Sequence, residues 1–246
     1  MTGVRSSLDA DAAEAWVRLL TEAVRSIAGA GEVHQAAETL AVLAAGRFDA
    51  DVAGVSTFDR HGGKQRLAAT DERLRSLDVA TVEVPTSPLS APLAPGSVLV
   101  VSDVATDPRW PEWGAAVRSQ GARAALLSGL PAVQGHPLTL ELYGHRSDWV
   151  AQLDQVAISH FATHVGLALE QAERRWNLEQ AMQTRGVIGQ AQGILMERYR
   201  LTGAQAMAYL RRQSQRSQLK VRDLAVSLVA DREDEAIGNP RLDDTP

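Results

Sequence analysis

The chain has 246 residues, of which 45% are hydrophobic and 22% charged, and its formal net charge is −5. This composition is typical of a globular protein and provides enough chain for one large domain or two small ones. Cysteine is absent, which excludes disulfides, thiolate metal sites and cysteine nucleophiles. The sequence contains neither an apolar run of roughly 18 residues nor the pattern of a signal peptide, so we expect a cytoplasmic protein.

The net charge is distributed unevenly along the chain. Residues 1–173 contain 13 Lys and Arg against 21 Asp and Glu, a net charge of −8. Residues 174–232 contain 11 against 4, a net charge of +7, and residues 233–246 contain 1 against 5, a net charge of −4. The average therefore conceals an acidic body, a basic module and an acidic tail. We expect the tail to be disordered, and an autoinhibitory contact with the basic module is an open alternative.

The first part of the chain has apolar residues at helical spacing. This spacing predicts a first helix over residues 9–29, with Asp9 or Asp11 as its cap and Gly29 at its end. A second helix is expected from about Val33 to Ala45, ended by Gly46. Alternation and turn residues then predict strands and short helices. In chain order these are a strand at 51–58, a turn at 59–63, a strand at 65–70, a helix at 72–79, a strand at 97–102, a helix at 112–120, and strands at 122–130 and 137–143.

Four of the ten prolines lie between residues 85 and 95. Proline fixes φ and cannot donate a backbone hydrogen bond, so this stretch is incompatible with a central strand or a helix interior. We expect it to form a loop over the face of a sheet.

From Trp149 onward, apolar residues recur in steps of three and four without a proline. This pattern predicts one connector helix over about 149–183, paired with its copy in a coiled-coil homodimer. Two helices with a break near 173–177 are the alternative.

The order of elements in the first part of the chain resembles the GAF fold, a sensor domain related to PAS domains. The residues that carry the resemblance are Asp51-Val-Ala-Gly-Val-Ser, Leu67-Ala-Ala-Thr-Asp71, and Val101 to Pro111 with its Asp-Pro-Arg-Trp-Pro turn. The resemblance implies an α+β domain with an antiparallel sheet of five or six strands and a possible small-molecule ligand. Segment 85–96 lacks the cysteine found in the related actinobacterial subgroup, so that subgroup's ligand chemistry is not carried over. Trp110 and Trp113 either line a ligand pocket or anchor the loop to the sheet.

The basic module has the pattern of a bundle of three short helices. Thr202 and Gln205 have the spacing of a capping box at the start of its second helix. Three apolar stripes are expected to form its core. They are Val187, Ala191, Ile194 and Leu195; Ala206, Met207 and Leu210; and Val221, Leu224, Ala225, Leu228 and Val229.

Another face of the module combines glycines, a methionine and cations. Interior glycines cost a helix about 1 kcal/mol each relative to alanine, and close approach of a partner to the backbone is a usual reason for them. A phosphate backbone with an unstacked base would fit such a face. The alternative is that the glycines admit a neighbouring helix and the charges are only solvated. The candidate RNA-binding residues are Arg185, Gly189, Gln192, Gly193, Met196, Arg200, Arg211, Arg212, Arg216, Gln218, Lys220 and Arg222.

This module resembles the ANTAR domain, the RNA-binding output module of bacterial transcription antiterminators. The resemblance covers about residues 178–230, and the matching residues are Arg185, Val187-Ile188, Ala191, Gly193-Ile-Leu-Met196, Arg198, Ala206, Leu210-Arg211 and Lys220. It implies binding of paired RNA hairpins by a dimer. Gln192 stands where the family often has Lys, and Gln218 where it often has Asn.

We therefore predict a GAF-like sensor at 1–172, an ANTAR domain at 173–232 and the acidic tail at 233–246. The predicted function is an RNA-binding antitermination regulator. The alternative is a signalling adaptor whose C-terminal bundle binds a protein partner, which the departures at Gln192 and Gln218 favour.

No set of residues in the sequence predicts an enzyme. His160 and His164 are four residues apart, a spacing compatible with metal binding, but no acidic or thiolate cluster accompanies them. We expect them in a helix interface instead. We therefore predict no catalytic residues, no metal and no cofactor.

Overall fold

The computed structural model describes residues 2–59, 63–81, 84 and 86–237, and within these ranges the side chains of 2–13, 15, 81 and 233–237 are not described. The chain divides into two compact units, Met1–Trp176 and Asn177–Pro246, called here the first and the second unit. The boundary predicted from sequence, 172/173, lies four residues earlier.

The described part of the first unit contains a five-stranded antiparallel sheet with the strand order β2-β1-β5-β4-β3. The predicted α+β class with an antiparallel sheet is therefore confirmed. The elements are α1 (Thr2–Gly29), α2 (Val33–Phe48), β1 (Val52–Phe58), β2 (Lys64–Ala69), α3 (Arg73–Thr81), β3 (Val98–Val101), α4 (Pro111–Ser119), β4 (Ala124–Val133), β5 (His136–Gly144) and the beginning of α5 (Gln155–Tyr199).

The sheet is covered on both faces. One face packs against α1, α2 and α5, where Leu40, Leu142 and Phe161 are fully buried. The other face packs against α3 and α4 and contains Trp113 and Tyr143. Because neither face meets solvent, the central strands β4 and β5 are almost continuously buried instead of alternating.

Two predicted ends of the N-terminal helices are wrong. The first helix begins at Thr2 and not at residue 9, so Asp9 and Asp11 lie inside α1. The second helix continues through Gly46 to Phe48 and ends at Asp49, which adopts a left-handed conformation with φ 50°. The extra turn places the Phe48 ring edge-on to Phe161, 5.2 Å between centroids, so burial of an aromatic ring outweighs the weak helix propensity of glycine.

Both predicted ends of the connector helix are also wrong. Residues 149–152 form a 3₁₀ turn, and α5 begins only at Gln155. Asp154 caps this start, since its Oδ1 accepts hydrogen bonds from the backbone N–H groups of Val156 at 2.9 Å and Ala157 at 3.2 Å. A 3₁₀ turn repeats every three residues, so its apolar spacing resembles that of a helix. At the other end α5 continues past 183 to Tyr199, without a break at 173–177.

The second unit consists of the C-terminal part of α5 with α6 (Gly203–Ser217) and α7 (Val221–Ile237). Its buried core contains Ala191, Leu195, Ala206, Leu210 and Ala225. The predicted capping box is confirmed: Thr202 Oγ1 accepts from the Gln205 N–H at 3.3 Å, and Gln205 Oε1 accepts from the Thr202 N–H at 2.8 Å. Several residues of the predicted stripes are only half-buried: Val187, Ile194, Met207, Val221, Leu224, Leu228 and Val229.

Three predicted segments lie partly outside the residues that the structure describes: the acidic tail, the turn at 59–63 and the proline-rich stretch. The tail was expected to begin at 233, but α7 extends to Ile237, so that part of the prediction is wrong. Residues 238–246 lie outside the described residues, as do Pro85 and most of the turn at 59–63. The described residues 86–97 of the proline-rich stretch contain neither a helix nor a strand, apart from a single bridge between Pro95 and Gly129.

Candidate nucleic-acid interface

Most cations of the second unit lie on its surface without an acidic partner. The side chains are exposed, and among the residues that the structure describes none of them forms an ion pair. A cation that is not neutralised within its own domain is available to a phosphate. These residues are Arg185, Arg200, Arg211, Arg212, Arg216, Lys220 and Arg222.

The glycines of the second unit's part of α5 face open space. An added Cβ at Gly186, Gly189 or Gly193 would have no neighbouring atom within 4 Å in the described chain. The alternative that these glycines admit a neighbouring helix therefore receives no support from within one chain. The helix carries three interior glycines that its own packing does not require.

Gln192 and Met196 lie at the corner where α6 begins. Gln192 is half-buried, and its Nε2 donates a hydrogen bond to the carbonyl oxygen of Gly203 at 3.1 Å. The Met196 sulfur lies 3.7 Å from the point where a side chain at Gly203 would begin. Both residues thus have contacts inside the domain, in addition to the exposed surface that Met196 retains.

Arg200 and Gln218 adopt left-handed backbone conformations, with φ 54° and φ 58°. They follow the ends of α5 and α6, where glycine or asparagine is preferred. Asparagine would tolerate the conformation of Gln218 better than glutamine does.

A pair of aromatic rings was missed in the sequence. Tyr199 and Tyr209 stack with 6.1 Å between their centroids and 29° between their planes. Tyr209 packs against the core of the second unit, whereas Tyr199 is 54% exposed. The sequence did contain a signal for this pair: aromatic residues are scarce in the chain, yet two of its three tyrosines lie in this short basic module.

In the first unit, a cleft of about 550 Å³ opens on the sheet face that carries α3 and α4. Trp113 lines it together with Arg66, Asp78 and Leu89. Trp110 is not among its lining residues. Its ring instead packs edge-on against Trp113 at 6.3 Å, with the Arg109 guanidinium 4.3 Å from its centroid. The structure thus places the two predicted tryptophans differently, one at the cleft and one at the loop.

Charged side chains of β2, β5 and α3 form a network of ion pairs beside the cleft. Glu141 is fully buried, and its Oε1 lies 2.9 Å from Arg66 Nη1 and 3.4 Å from Lys64 Nζ. The Tyr143 hydroxyl donates to its Oε2 at 2.9 Å, and Arg66 also pairs with Asp78 at 2.6 Å. Two cations therefore balance two carboxylates beside the cleft.

Burial by itself would raise the pKa of Glu141. The charges of Arg66 and Lys64 and the hydrogen bonds from Ser56 and Arg66 outweigh burial and lower the pKa to about 2. The pKa of Tyr143 is raised, first by burial and then by the charge of Glu141. This arrangement keeps Glu141 ionised and Tyr143 neutral near neutral pH.

Residues with metal-binding side chains do not converge in the described part of the chain, where no group of three or more could hold an ion. His160 and His164 are both exposed on α5. Among the described helices, none combines the length and apolar character needed to cross a membrane.

Residues 176–229 match the family model of the ANTAR domain. The second unit therefore contains an ANTAR domain, as the sequence resemblance predicted. The match covers the end of α5, all of α6 and most of α7, and every candidate RNA-binding residue lies within it. No curated protein matches the sequence of the chain.

Three solved structures resemble part of the chain in fold. One is a domain of a putative two-component sensor histidine kinase from Sinorhizobium meliloti, with 18% identity, 60% of this chain and 94% of that chain covered, and a TM-score of 0.45. A second is the GAF domain of a phosphoenolpyruvate-protein phosphotransferase from Coxiella burnetii, with 12% identity, 68% and 96% coverage and a TM-score of 0.47. A third is bacteriophytochrome RpBphP3 from R. palustris, with 12% identity, 73% and 42% coverage and a TM-score of 0.49, so the chain spans less than half of that protein.

Proposed function

We propose that the chain is a cytoplasmic, RNA-binding regulator of transcription antitermination, in which a GAF-like sensor domain controls a dimeric ANTAR domain that binds RNA hairpins. The observation that carries the proposal is the coincidence of two features. The ANTAR match at 176–229 covers the segment whose exposed cations have no acidic partner among the described residues. RNA is the polyanion whose phosphates such cations would neutralise.

Dimerisation through α5 is supported by exposed apolar side chains on that helix. In the first unit, Val156 and Leu167 are exposed and stand 11 residues apart, which places them on one side of a helix. In the second unit, Leu178 and Met182 are 62% and 63% exposed and four residues apart. Pairing with a second copy would bury these side chains, as the seam of a coiled coil does.

The sensor role rests on the cleft beside Trp113. A ligand there would meet the charged groups of Arg66 and Asp78, while Trp113 is almost fully buried in the wall of the cleft. Ligand binding that favours one state of the first unit would shift the population of RNA-binding dimers, provided that the ligand's affinity differs between the states.

RNA binding is tested by measuring the affinity of the full chain for a pair of RNA hairpins and for scrambled RNA over a range of salt concentrations. We expect Arg185→Glu and Arg211→Glu each to weaken hairpin binding by roughly 10-fold and to reduce the salt slope by about 1. Arg118→Glu is the matched control, because Arg118 is an exposed arginine of the first unit. Equal affinity of the wild-type chain for hairpin and scrambled RNA would refute antitermination and favour the adaptor.

Dimerisation is tested by native mass spectrometry or sedimentation of the full chain. We expect a dimer that dissociates in Leu178→Glu, because a charge would replace an apolar contact at the interface. Val79→Glu is the control, since Val79 is 76% exposed on α3, away from α5. A monomeric wild-type chain would contradict pairing through this helix.

A further inference from the structure

The stacked tyrosines of the second unit form a flat aromatic surface. Tyr209 is half-buried on α6 and is held by the core, and Tyr199 stacks on it at the end of α5. More than half of the Tyr199 surface is exposed. An exposed ring that is already fixed in place loses little conformational freedom when another flat group packs against it.

Two arginines lie next to this aromatic surface on the same side of α6. Arg212 and Arg216 follow Tyr209 by three and seven residues, so the three side chains lie on one side of the helix. Both arginines are exposed, and neither forms an ion pair within the described chain. Arg200, also exposed, directly follows Tyr199. The aromatic surface is therefore bordered by positive charge that its own domain does not neutralise.

A nucleotide matches both halves of this surface. A base presents a flat π-face to an aromatic ring, and the phosphates on either side of it present negative charge to arginines. A base inside a duplex is stacked on its neighbours and has no free face, so the partner must offer an unpaired base.

We propose that Tyr199 is a stacking platform for an unpaired base of the RNA, and that Arg212 and Arg216 bind the phosphates flanking that base. The inference rests on the proposed RNA-binding function and adds to it the part of the RNA that is recognised. What it assigns is the residues that would contact an unpaired base and the phosphates on either side of that base.

The test combines substitutions in the protein with the removal of bases from the RNA, so that each protein variant is measured with each RNA. The full-length chain, as wild type and as Tyr199→Ala and Tyr199→Phe, is titrated with hairpin pairs whose loops carry either normal or abasic nucleotides. With normal loops we expect Tyr199→Ala to weaken binding roughly 10-fold and Tyr199→Phe to change it little, because phenylalanine keeps the ring. With abasic loops the wild-type chain and Tyr199→Ala should bind alike, and Tyr199→Ala should keep the salt slope of the wild type.

Arg212→Gln and Arg216→Gln complete the test. Each should lower the salt slope by about 1, whether or not the loop carries bases. Val226→Ala is the control for the loss of an exposed apolar side chain from the same unit. Circular dichroism of each variant checks that the helices remain folded.

The outcomes separate this inference from the proposed function. If the wild-type chain prefers hairpins but Tyr199→Ala binds normal and abasic loops as the wild type does, the platform is refuted and RNA binding stands. A loss that is equal with both kinds of loop also refutes stacking. If the wild-type chain has no preference for hairpins, the proposed function fails first and the inference fails with it.

Discussion

Among single residues, Glu141 is the charged side chain that the described part of the first unit buries completely. Its carboxylate is fully buried, which would be strongly unfavourable without compensation. Ser56 on the adjacent strand β1, and Arg66 and Lys64 on β2, one strand further along the sheet, provide that compensation. None of these residues belongs to a recognisable sequence motif. Their meeting depends on strand pairing over as many as 85 positions, so a sequence pattern could not predict it.

The first prediction concerns the acid stability of the first unit. The pKa of Glu141 in the folded chain, about 2, lies below its ordinary value of 4.5. The ionised carboxylate therefore contributes stability that is complete above about pH 4.5 and is lost as the pH falls toward 2. We expect Glu141→Gln to lower the free energy of unfolding by about 3 kcal/mol at pH 7, and the difference from wild type to shrink below pH 4.

Denaturant titration followed by tryptophan fluorescence measures this effect. Glu112→Gln is a suitable control, because Glu112 is exposed on α4. A difference between wild type and Glu141→Gln that stays constant from pH 7 to pH 3 would contradict the lowered pKa.

The second prediction concerns the glycines of the second unit. Because an added Cβ at Gly189 would meet no described atom within 4 Å outside its own helix backbone, we expect Gly189→Ala to stabilise the second unit by about 1 kcal/mol. The same substitution should weaken the binding of any partner that approaches the helix backbone. Thermal unfolding and hairpin titration measure the two effects. Gly114→Ala provides the contrast, since its Cβ would fall on the carbonyl oxygen of Val104 and should destabilise the first unit. A Gly189→Ala chain that is less stable would show that the glycine has a role within the monomer.

At the level of helices and strands, local side-chain contacts decide where an element begins and ends. Thr202 with Gln205 opens α6, and Asp154 opens α5. The first start was predicted because the capping box has a fixed spacing. The second was missed because the 3₁₀ turn before Asp154 buries Val150 with a spacing that a helix would share. Apolar periodicity thus located the elements, whereas their ends required knowledge of tertiary contacts.

The third prediction belongs to this level. We expect Thr202→Ala to destabilise the second unit by about 1 kcal/mol, because the N–H of Gln205 loses its acceptor. Thr202→Ser should cost only a few tenths of a kcal/mol, since serine retains the hydroxyl. The helical signal at 222 nm during thermal unfolding distinguishes the two. Equal stability of Thr202→Ala and the wild type would mean that solvent satisfies this end of α6.

For the whole molecule, the described residues form separate cores in the two units, and no described residue belongs to the cores of both. The core of the second unit is small, and a small domain buries a lower fraction of its surface. The sequence already separated the units through the charge partition and the ANTAR motif. It could not predict that α5 runs unbroken through the predicted boundary, because residues 173–177 have no strong signal for either continuation or ending.

The fourth prediction follows from the placement of the tryptophans. All five, at positions 16, 110, 113, 149 and 176, belong to the first unit. Tryptophan fluorescence therefore reports only on that unit, whereas circular dichroism at 222 nm reports on both. We expect the two signals to give different midpoints in urea, with part of the helical signal lost first. Coincident midpoints at all protein concentrations would indicate a single cooperative unit.

The three glycines of α5 that face open space in the described chain, at 186, 189 and 193, also affect how quickly the amide protons of this stretch exchange with solvent. Low helix propensity over two turns lowers the free energy of local opening, so these amides should exchange faster than those at the buried Leu195. A partner that covers the glycines would slow exchange there first. Deuterium uptake along α5 can therefore map occupancy of this surface without a label or a substitution.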